Sequence, residues 1–276
     1  MTQAQAVLTV QPRGTSSPRP PGFVNTLSAE WTKLRTLRST PITVAVSAAL
    51  VIGLSALITW AAYGAPHHGQ RAITDPVGVI QSGWLFGLLA FGVLGVLVIT
   101  NEYSSGMINS TFLVTPKRVR VLVAKVLVFS VVMFIAGEVM SFINFFVGHA
   151  VLSAFPSYYD PALGDNDVLR VVIGMGLEAV LVGLIGLSLG ALFRNAAAAI
   201  AVAVGVLWIG PIVISFLPSS IQNPLDEYWP TEAGSQLEEV TRQSHALTAW
   251  WGTGDLTLFV LVLLVLAGYA LVKRDA

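Results

Sequence analysis

The sequence predicts an all-α, polytopic membrane protein with six transmembrane helices, an amphipathic interfacial helix near the N-terminus and a short cytoplasmic helix between the second and third spans. Its 276 residues are 54% hydrophobic and only 11% charged, and the mean hydropathy is +0.74. Soluble domains carry about 25% charged residues, so this chain has too little charge to cover a surface that faces water. The apolar residues are gathered into six runs, each long enough to cross a hydrocarbon core of about 30 Å.

These runs set the expected boundaries of the spans. They cover residues 41–63, 77–100, 121–152, 169–193, 196–217 and 256–272. Only Arg194 and Asn195 separate the fourth run from the fifth, which predicts a tight helical hairpin. The chain is therefore divided into a disordered cytoplasmic tail at 1–21, an interfacial helix at 22–39 and a transmembrane domain at 40–276.

The lysines and arginines predict which connections face the cytoplasm. All but three of the 15 lie in one alternating set of segments, namely Arg13, Arg19, Lys33, Arg35, Arg38, Lys117, Arg118, Arg120, Lys125, Arg194, Lys273 and Arg274. The other set holds Arg71, Arg170, Arg242 and most of the acidic residues, including a segment at 226–239 that resembles an outer helix or cap. Because cytoplasmic loops are enriched in lysine and arginine, we expect both termini to lie in the cytoplasm of a bacterial cell, with the spans in its plasma membrane.

Aromatic residues lie near the expected outer surface of the membrane. Trp60 and Tyr63 close the first span, while Trp229, Trp250 and Trp251 fall in the last outer connection. Tryptophan and tyrosine prefer the headgroup region, so we interpret these residues as a membrane belt rather than as substrate contacts.

Several kinds of chemistry lack the residues that they need. Cysteine is absent, which excludes disulfides and thiolate chemistry. The chain contains no Gly-x-x-x-x-Gly-Lys-Ser/Thr phosphate loop, so we expect no nucleotide site, no catalytic residues and no cofactor on it. His67 and His68 have no cysteine or spaced carboxylate beside them, which argues against a metal site. No nucleic-acid partner is expected.

The segment 23–38 is polar and short, and it predicts a basic amphipathic helix in the cytoplasmic headgroup plane. Its apolar side chains fall on one side of a helical wheel: Phe23, Val24, Leu27, Trp31, Leu34 and Leu37. Lys33 and Arg35 lie on the other side. Glu30 sits at the edge of the apolar stripe and leaves two interpretations open. It pairs at the surface with Lys33 three residues later, or it marks a face that docks on protein.

The connection between the second and third spans is polar enough to leave the membrane, yet apolar side chains recur in it at helical spacing. They include Tyr103, Met107, Ile108, Thr111 and Phe112. This pattern predicts a short helix across the base of the hairpin, ended by Pro116. The basic residues Lys117, Arg118 and Arg120 that follow are expected to face anionic lipid of the inner leaflet.

The order of these blocks resembles the permease subunits of type-2 ABC exporters. The first block of matching residues is Ser28, Glu30, Trp31, Lys33, Leu34, Arg35 and Thr36. After two spans comes the second block, Glu102, Tyr103, Gly106, Ile108, Thr111, Pro116, Arg118 and Lys125. The topology resembles the family over the whole chain, whereas the residue matches cover about its first half.

The resemblance implies the partners and the contact residues. Family permeases pair as two membrane subunits, here expected as a homodimer, with two cytoplasmic ATPase subunits that carry ATP and Mg²⁺. The implied contact with the ATPase is made by Glu102, Tyr103, Ser104, Ser105, Gly106, Met107, Ile108 and Thr111. The interfacial helix, with Glu30, Trp31, Lys33 and Arg35, would make a second contact. The substrate would be an amphiphile, such as a drug, a peptide or a lipid, moved outward.

Two carboxyl groups lie inside predicted spans, Glu138 in the third and Glu178 in the fourth. A charge in the middle of a bilayer is unfavourable by about 2.5–3.5 kcal/mol, so neither side chain should face lipid. They line a substrate or proton path, they hydrogen-bond between helices with Asn144, Ser141 or Ser188, or they are protonated. In the fourth span, Gly186 and Gly190 are spaced for close approach of another helix.

Two other functional classes remain open from the sequence. The first is an intramembrane enzyme that uses Glu138 and Glu178 as acid and base. The second is a transporter that works without ATP, or a membrane-anchored assembly protein. Either one would act without an ATPase partner, whereas the permease would not.

Overall fold

A computed structural model describes residues 22–36, 39–64, 75–114, 117–155, 160–240 and 247–273. Every regular element within these ranges is helical, and six helical segments are long and apolar enough to cross a membrane. The predicted all-α architecture with six spans is therefore confirmed. The tail at 1–21, the paired histidines 67 and 68, Pro116 and the last residues of the chain lie outside the described residues.

The first half of the chain forms six helices. They are α1 Phe23–Thr36, α2 Ser39–Gly64, α3 Pro76–Ile80, α4 Trp84–Ser104, α5 Met107–Val114 and α6 Arg118–Leu152. The second half forms α7 Val168–Phe193, α8 Ala196–Val204, a π-helical segment Gly205–Ile209, α9 Gly210–Ile214, α10 Ser219–Tyr228, α11 Pro230–Ser235 and α12 Ala249–Lys273. The spans lie in α2, α4, α6, α7, the continuous helical segment from Ala196 to Ile214, and α12.

The second span departs from the prediction of one helix over 77–100. The short helix α3 ends at Ile80, a turn follows, and the long helix α4 begins at Trp84. Asp75 caps α3 by accepting a hydrogen bond from the Gly78 amide at 2.9 Å. The Gly83 amide in turn donates to the Ser55 hydroxyl of α2 at 2.9 Å. A Cβ at Gly83 would collide with the Val51 carbonyl, so only glycine lets the turn pack this closely against α2.

Helix α7 forms the centre of the bundle, and α4, α6 and α12 pack around it. Glycines bring the backbones of α4 and α7 together: a Cβ at Gly186 would meet the Gly92 carbonyl, and a Cβ at Gly95 would meet the Gly183 carbonyl. Gly190 likewise packs against Val96 and Ile99 of α4. The predicted close approach at Gly186 and Gly190 is therefore confirmed, and it joins two helices of the same chain.

The fifth span changes its helical period at Gly205–Ile209. Trp229 follows α10 and donates its indole N–H to the Val206 carbonyl at 2.9 Å, with its ring against Gly210. A π-helical turn leaves carbonyls without their usual i+4 donors, and the indole supplies one. Trp229 is only half-buried, so its interpretation as a membrane-belt residue stays a prediction, whereas Tyr63 is buried and does not face the membrane surface. Trp250 and Trp251 belong to the first turn of α12, not to the preceding connection, and both are exposed.

Helices α10 and α11 fold back over the bundle. We call these two helices and the turn that follows them, as far as residue 240, the cap. Arg170 of α7 holds the end of the cap through its guanidinium, which donates to the carbonyls of Leu237 at 3.1 Å and Glu239 at 2.9 Å. The cap covers the end of the bundle at which α4 and α7 begin. The predicted helix or cap within 226–239 is thus present, and it is packed against the spans.

Candidate functional site

A buried cluster of charges lies at the opposite end of the bundle, where α4 ends and α6 begins. We call Glu30, Lys33, Glu102 and Lys125 the charge cluster. At its centre, the Lys125 ammonium lies 2.6 Å from Glu30 Oε2 and 2.6 Å from Glu102 Oε1. Lys125 is only 3% exposed and Glu30 only 2%. A buried ion pair is strongly stabilising relative to either partner alone, because one partner without the other is an uncompensated charge.

Lys33 completes the cluster from α1. Its ammonium lies 2.7 Å from Glu30 Oε1, 3.1 Å from Glu102 Oε1 and 3.2 Å from the Thr111 hydroxyl. Burial alone lowers the pKa of Lys33, but the hydrogen bond to Glu30 and the charges of Glu102 and Glu30 outweigh burial, and the pKa is raised. A raised lysine pKa stabilises the fold below the usual lysine value, and this contribution is lost only as the pH rises through the raised value. Lys33 therefore keeps its positive charge at neutral pH.

Helix α1 packs against the protein with a face that adjoins the predicted apolar stripe and shares Leu34 with it. Thr26, Glu30 and Leu34 are buried against the protein, at the i, i+4 and i+8 spacing of one helical face. Phe23, Val24 and Trp31 of the predicted apolar stripe are exposed on the protein surface, as a side that faces lipid headgroups has to be. The ion pairs hold the helix in this orientation, because burying the aromatic side chains against the protein would turn Glu30 away from Lys125. Both interpretations of Glu30 hold in part: it pairs with Lys33, and its face docks on protein, within its own chain.

The connection between α4 and α5 carries the residues that the resemblance assigns to the ATPase contact. The turn itself is exposed and consists of Ser104, Ser105, Gly106 and Met107. Gly106 has a φ of +70°, which glycine adopts without strain, and this conformation turns the chain sharply from α4 into α5. The helix predicted across the base of the hairpin is present as α5. Beyond the turn, Leu113 of α5 is 85% exposed and was not predicted as a contact residue.

The remaining residues of the implied contact point inward. Glu102 belongs to the charge cluster, and Ile108 is 4% exposed. Tyr103 is half-buried with the Arg194 guanidinium 5.2 Å from its ring centroid, and Thr111 is half-buried beside Lys33. A protein partner that approaches this connection therefore meets 104–107 first, while Glu102 and Ile108 support the turn from below. The charge cluster thus links α1, α4 and α6 directly beneath the exposed turn.

Two basic residues have contacts that the sequence did not predict. Lys125 was assigned to the cytoplasmic connection, yet it is the buried centre of the charge cluster. Arg118 was expected to face lipid, but its guanidinium donates to the Leu271 carbonyl at the end of α12 at 2.9 Å. This bond satisfies a carbonyl of the last turn of α12, which has no partner within the helix. A charge within the predicted third span was the available signal for Lys125.

The intramembrane carboxyl groups have neighbours other than the predicted ones. Ser141 donates to the Val172 carbonyl, Ser188 to the Leu184 carbonyl, and Asn144 to the Ile80 carbonyl and to Gln81. None of these three side chains bonds to Glu138 or Glu178, so that interpretation is wrong. Glu138 lies on α6 against Gly176, and Glu178 is buried below Gly234 of the cap. The two carboxyl groups therefore point toward different parts of the structure.

Comparison with known proteins gives one family match. A family described as ABC-2 family transporter protein matches residues 26–214, which include most of α1, the charge cluster, the exposed turn and the first five spans. No curated protein matches the chain.

Proposed function

The chain belongs to the ABC-2 family of transporter proteins, and on this premise we propose that it is the permease subunit of an ATP-driven exporter. In this proposal the six spans form the path for an amphiphilic substrate, and a separate cytoplasmic subunit binds ATP and Mg²⁺. The observation that carries the proposal is the exposed turn 104–107 mounted on the buried charge cluster. A partner that moves this turn displaces the end of α4, and the ion pairs transmit that displacement to α1 and α6.

The stiffness of this connection comes from its chemistry. Glu102 lies two residues before the exposed turn, and its carboxylate accepts hydrogen bonds from both Lys33 and Lys125. Charge-assisted hydrogen bonds between buried groups are stronger than neutral ones and hold their geometry. Nucleotide-driven movement of an ATPase against the turn would therefore reach the spans as movement of whole helices. Such rigid-body motion is a common route of long-range switching.

The orientation and assembly are part of the same proposal. The charge cluster, Arg194 and Lys273 lie at one end of the bundle, and we assign that end to the cytoplasm of a bacterial cell. The faces of α2 and α12 expose many apolar side chains, including Ile42, Val46, Leu50, Leu258, Leu261 and Val265. Lipid covers part of this surface, and a second copy of the chain in a homodimer covers the rest.

The alternative of an intramembrane enzyme receives no support from the geometry. An acid and a base that act on one substrate must reach the same reacting atoms. Glu178 lines a cavity, whereas Glu138 is not among the residues that line it. A shared reaction centre for these two carboxyl groups is therefore not present in the described structure.

The proposal predicts that Met107→Asp disrupts the complex with the ATPase. Met107 is 47% exposed at the turn, so the substitution leaves the fold intact. A carboxylate buried without a partner in the interface should weaken binding of the ATPase by at least about tenfold. The measurement is co-purification of the ATPase subunit with the full-length chain, together with the rate of ATP hydrolysis by the complex in nanodiscs.

A matched control is Ile221→Asp, which places the same charge on an exposed apolar residue of the cap at the other end of the bundle. This variant should retain the ATPase and its rate of hydrolysis. The proposal is wrong if the wild-type chain engages no ABC ATPase and transports alone in liposomes. It also fails if Met107→Asp binds the ATPase as the control does.

A further inference from the structure

An acidic cavity opens beneath the cap, at the end of the bundle opposite the charge cluster. Its volume is about 610 Å³, within the range of cavities that hold drug-sized ligands. The start of α4 and the fifth span form its sides, α7 contributes Met175, Glu178 and Val182, and the cap closes over it. The cavity is therefore enclosed by elements that the family match covers and by the cap, which lies beyond the match.

The described residues that line the cavity carry several carboxyl groups. Its carboxyl groups are Asp75, Glu178, Glu232, Glu238 and Glu239. The described residues that line it include no lysine, arginine or histidine. Arg170 lies nearby, but its guanidinium is bonded to Asp167 at 2.9 Å and to carbonyls of the cap. Among the described residues around the cavity, carboxyl groups therefore outnumber basic groups.

Glu178 is the deepest of these groups. Its residue is 2% exposed, and neither carboxylate oxygen has a hydrogen-bond partner among the described residues. A buried carboxylate without a partner is unfavourable by several kcal/mol, so a proton, a water or a bound cation has to compensate it. Glu238 Oε1 is also buried without a hydrogen-bond partner in the described structure. Burial raises the pKa of Glu232, and the charges of Asp226 and Glu239 raise it further, which reflects mutual repulsion around the cavity.

The rest of the lining is apolar and aromatic. Trp84 and Trp208 contribute indole rings, and Leu88, Val182, Leu207 and Ile212 contribute aliphatic surface. Indole faces attract cations and also pack against apolar groups. No group of three or more His, Cys, Asp or Glu side chains in the described ranges is close enough to hold a metal ion. The lining therefore fits an organic cation better than a bare metal ion.

We propose that this cavity binds a cationic amphiphile, with the positive group at Glu178 and the apolar body against the tryptophans. That this amphiphile is a transport substrate rests on the proposed permease function, whereas its binding to the cavity does not. The charge of the lining disfavours an anionic lipid or an acidic peptide, because either would be repelled by the carboxylates.

The test uses tetraphenylphosphonium as the cationic probe and tetraphenylborate as an anion of similar shape. Each probe is equilibrated by dialysis against the full-length chain in nanodiscs, and empty nanodiscs supply the correction for partitioning into lipid. We expect saturable binding of tetraphenylphosphonium and none of tetraphenylborate. Glu178→Gln should weaken the binding by at least about tenfold, because it removes the charge attraction while keeping the shape of the side chain.

The matched control is Glu138→Gln, which removes the other intramembrane carboxyl and should leave the binding unchanged. If Glu178→Gln does not fold, the cap variant Glu232→Gln tests the proposal in its place. We expect this variant to bind tetraphenylphosphonium several-fold more weakly than the wild-type chain does. Equal binding of both probes, or unchanged binding in folded Glu178→Gln, overturns the proposal. The binding assay contains neither ATPase nor nucleotide. A negative result in it therefore does not argue against the proposed ATPase contact, and a negative result for the ATPase contact does not argue against probe binding.

Discussion

Replacing Lys125 with methionine should destabilise the protein more than any other single change in the charge cluster. The substitution leaves Glu30 and Glu102 buried together with only Lys33, whose side chain is 24% exposed, to compensate them. Removing one partner from a buried ion pair costs about 3–5 kcal/mol of folding free energy. Thermal unfolding followed by tryptophan fluorescence in detergent measures the loss, and we expect a large drop in melting temperature.

Two further variants make this result specific. Lys117→Met removes a lysine from an exposed position just before α6 and should change the melting temperature little. The double variant K125M/E102Q removes one charge of each sign and leaves the Glu30–Lys33 pair, so it should be more stable than Lys125→Met alone. The cluster does not act as an ionic unit if Lys125→Met and Lys117→Met have the same melting temperature. The same conclusion follows if adding E102Q to K125M lowers the melting temperature further.

The second large effect is expected from alanine at Gly186. The added Cβ would meet the Gly92 carbonyl of α4, which is backbone and has no rotamer to change. Overpacking of this kind typically costs about 1–3 kcal/mol, and more where backbone must move. Because α4 also carries the exposed turn, the substitution should lower ATP-dependent activity together with thermal stability.

Gly53→Ala in the first span is the control for that substitution. A Cβ at Gly53 meets nothing within 4 Å, so alanine should be neutral or should gain up to about 1 kcal/mol from helix propensity. Both variants are compared by melting temperature and by yield of monodisperse protein. Equal stability of the two variants would show that the α4–α7 contact tolerates a methyl group, contrary to the packing described above.

Composition and periodicity predicted the spans because a membrane helix is specified locally, by its length and its apolar side chains. The break at 81–83 was missed for the same reason: Ile80 and Trp84 are apolar, and the contacts that stop α3 involve Ser55 and Val51 of another helix. The start of α12 was missed because Trp250 and Trp251 read as interfacial residues. Helix ends that depend on tertiary contacts are not encoded in a local pattern.

The candidate site was predictable only in its parts. The sequence showed Glu30 in an amphipathic helix, Glu102 at the end of a span and Lys125 within one. It could not show that they meet, since that depends on how α1, α4 and α6 pack. The acidic cavity is similar, because Glu178 and the acidic cap segment come together only when the cap folds back over α7. Pairings between distant elements required the structure, although each charge in or near a span was a usable signal.

The two-residue connection between α7 and α8 has a consequence for biosynthesis. Arg194 and Asn195 can reach at most about 7 Å, far less than the thickness of the bilayer, so both helices must end at the same membrane surface. We therefore expect the fourth and fifth spans to enter the bilayer together, as one helical hairpin. A carboxyl such as Glu178 opposes the insertion of α7 on its own, and the strongly apolar Ala196–Ile214 segment offsets that penalty. The short connection thus favours insertion of α7, with its carboxyl group, as part of a hairpin over its insertion as a single helix.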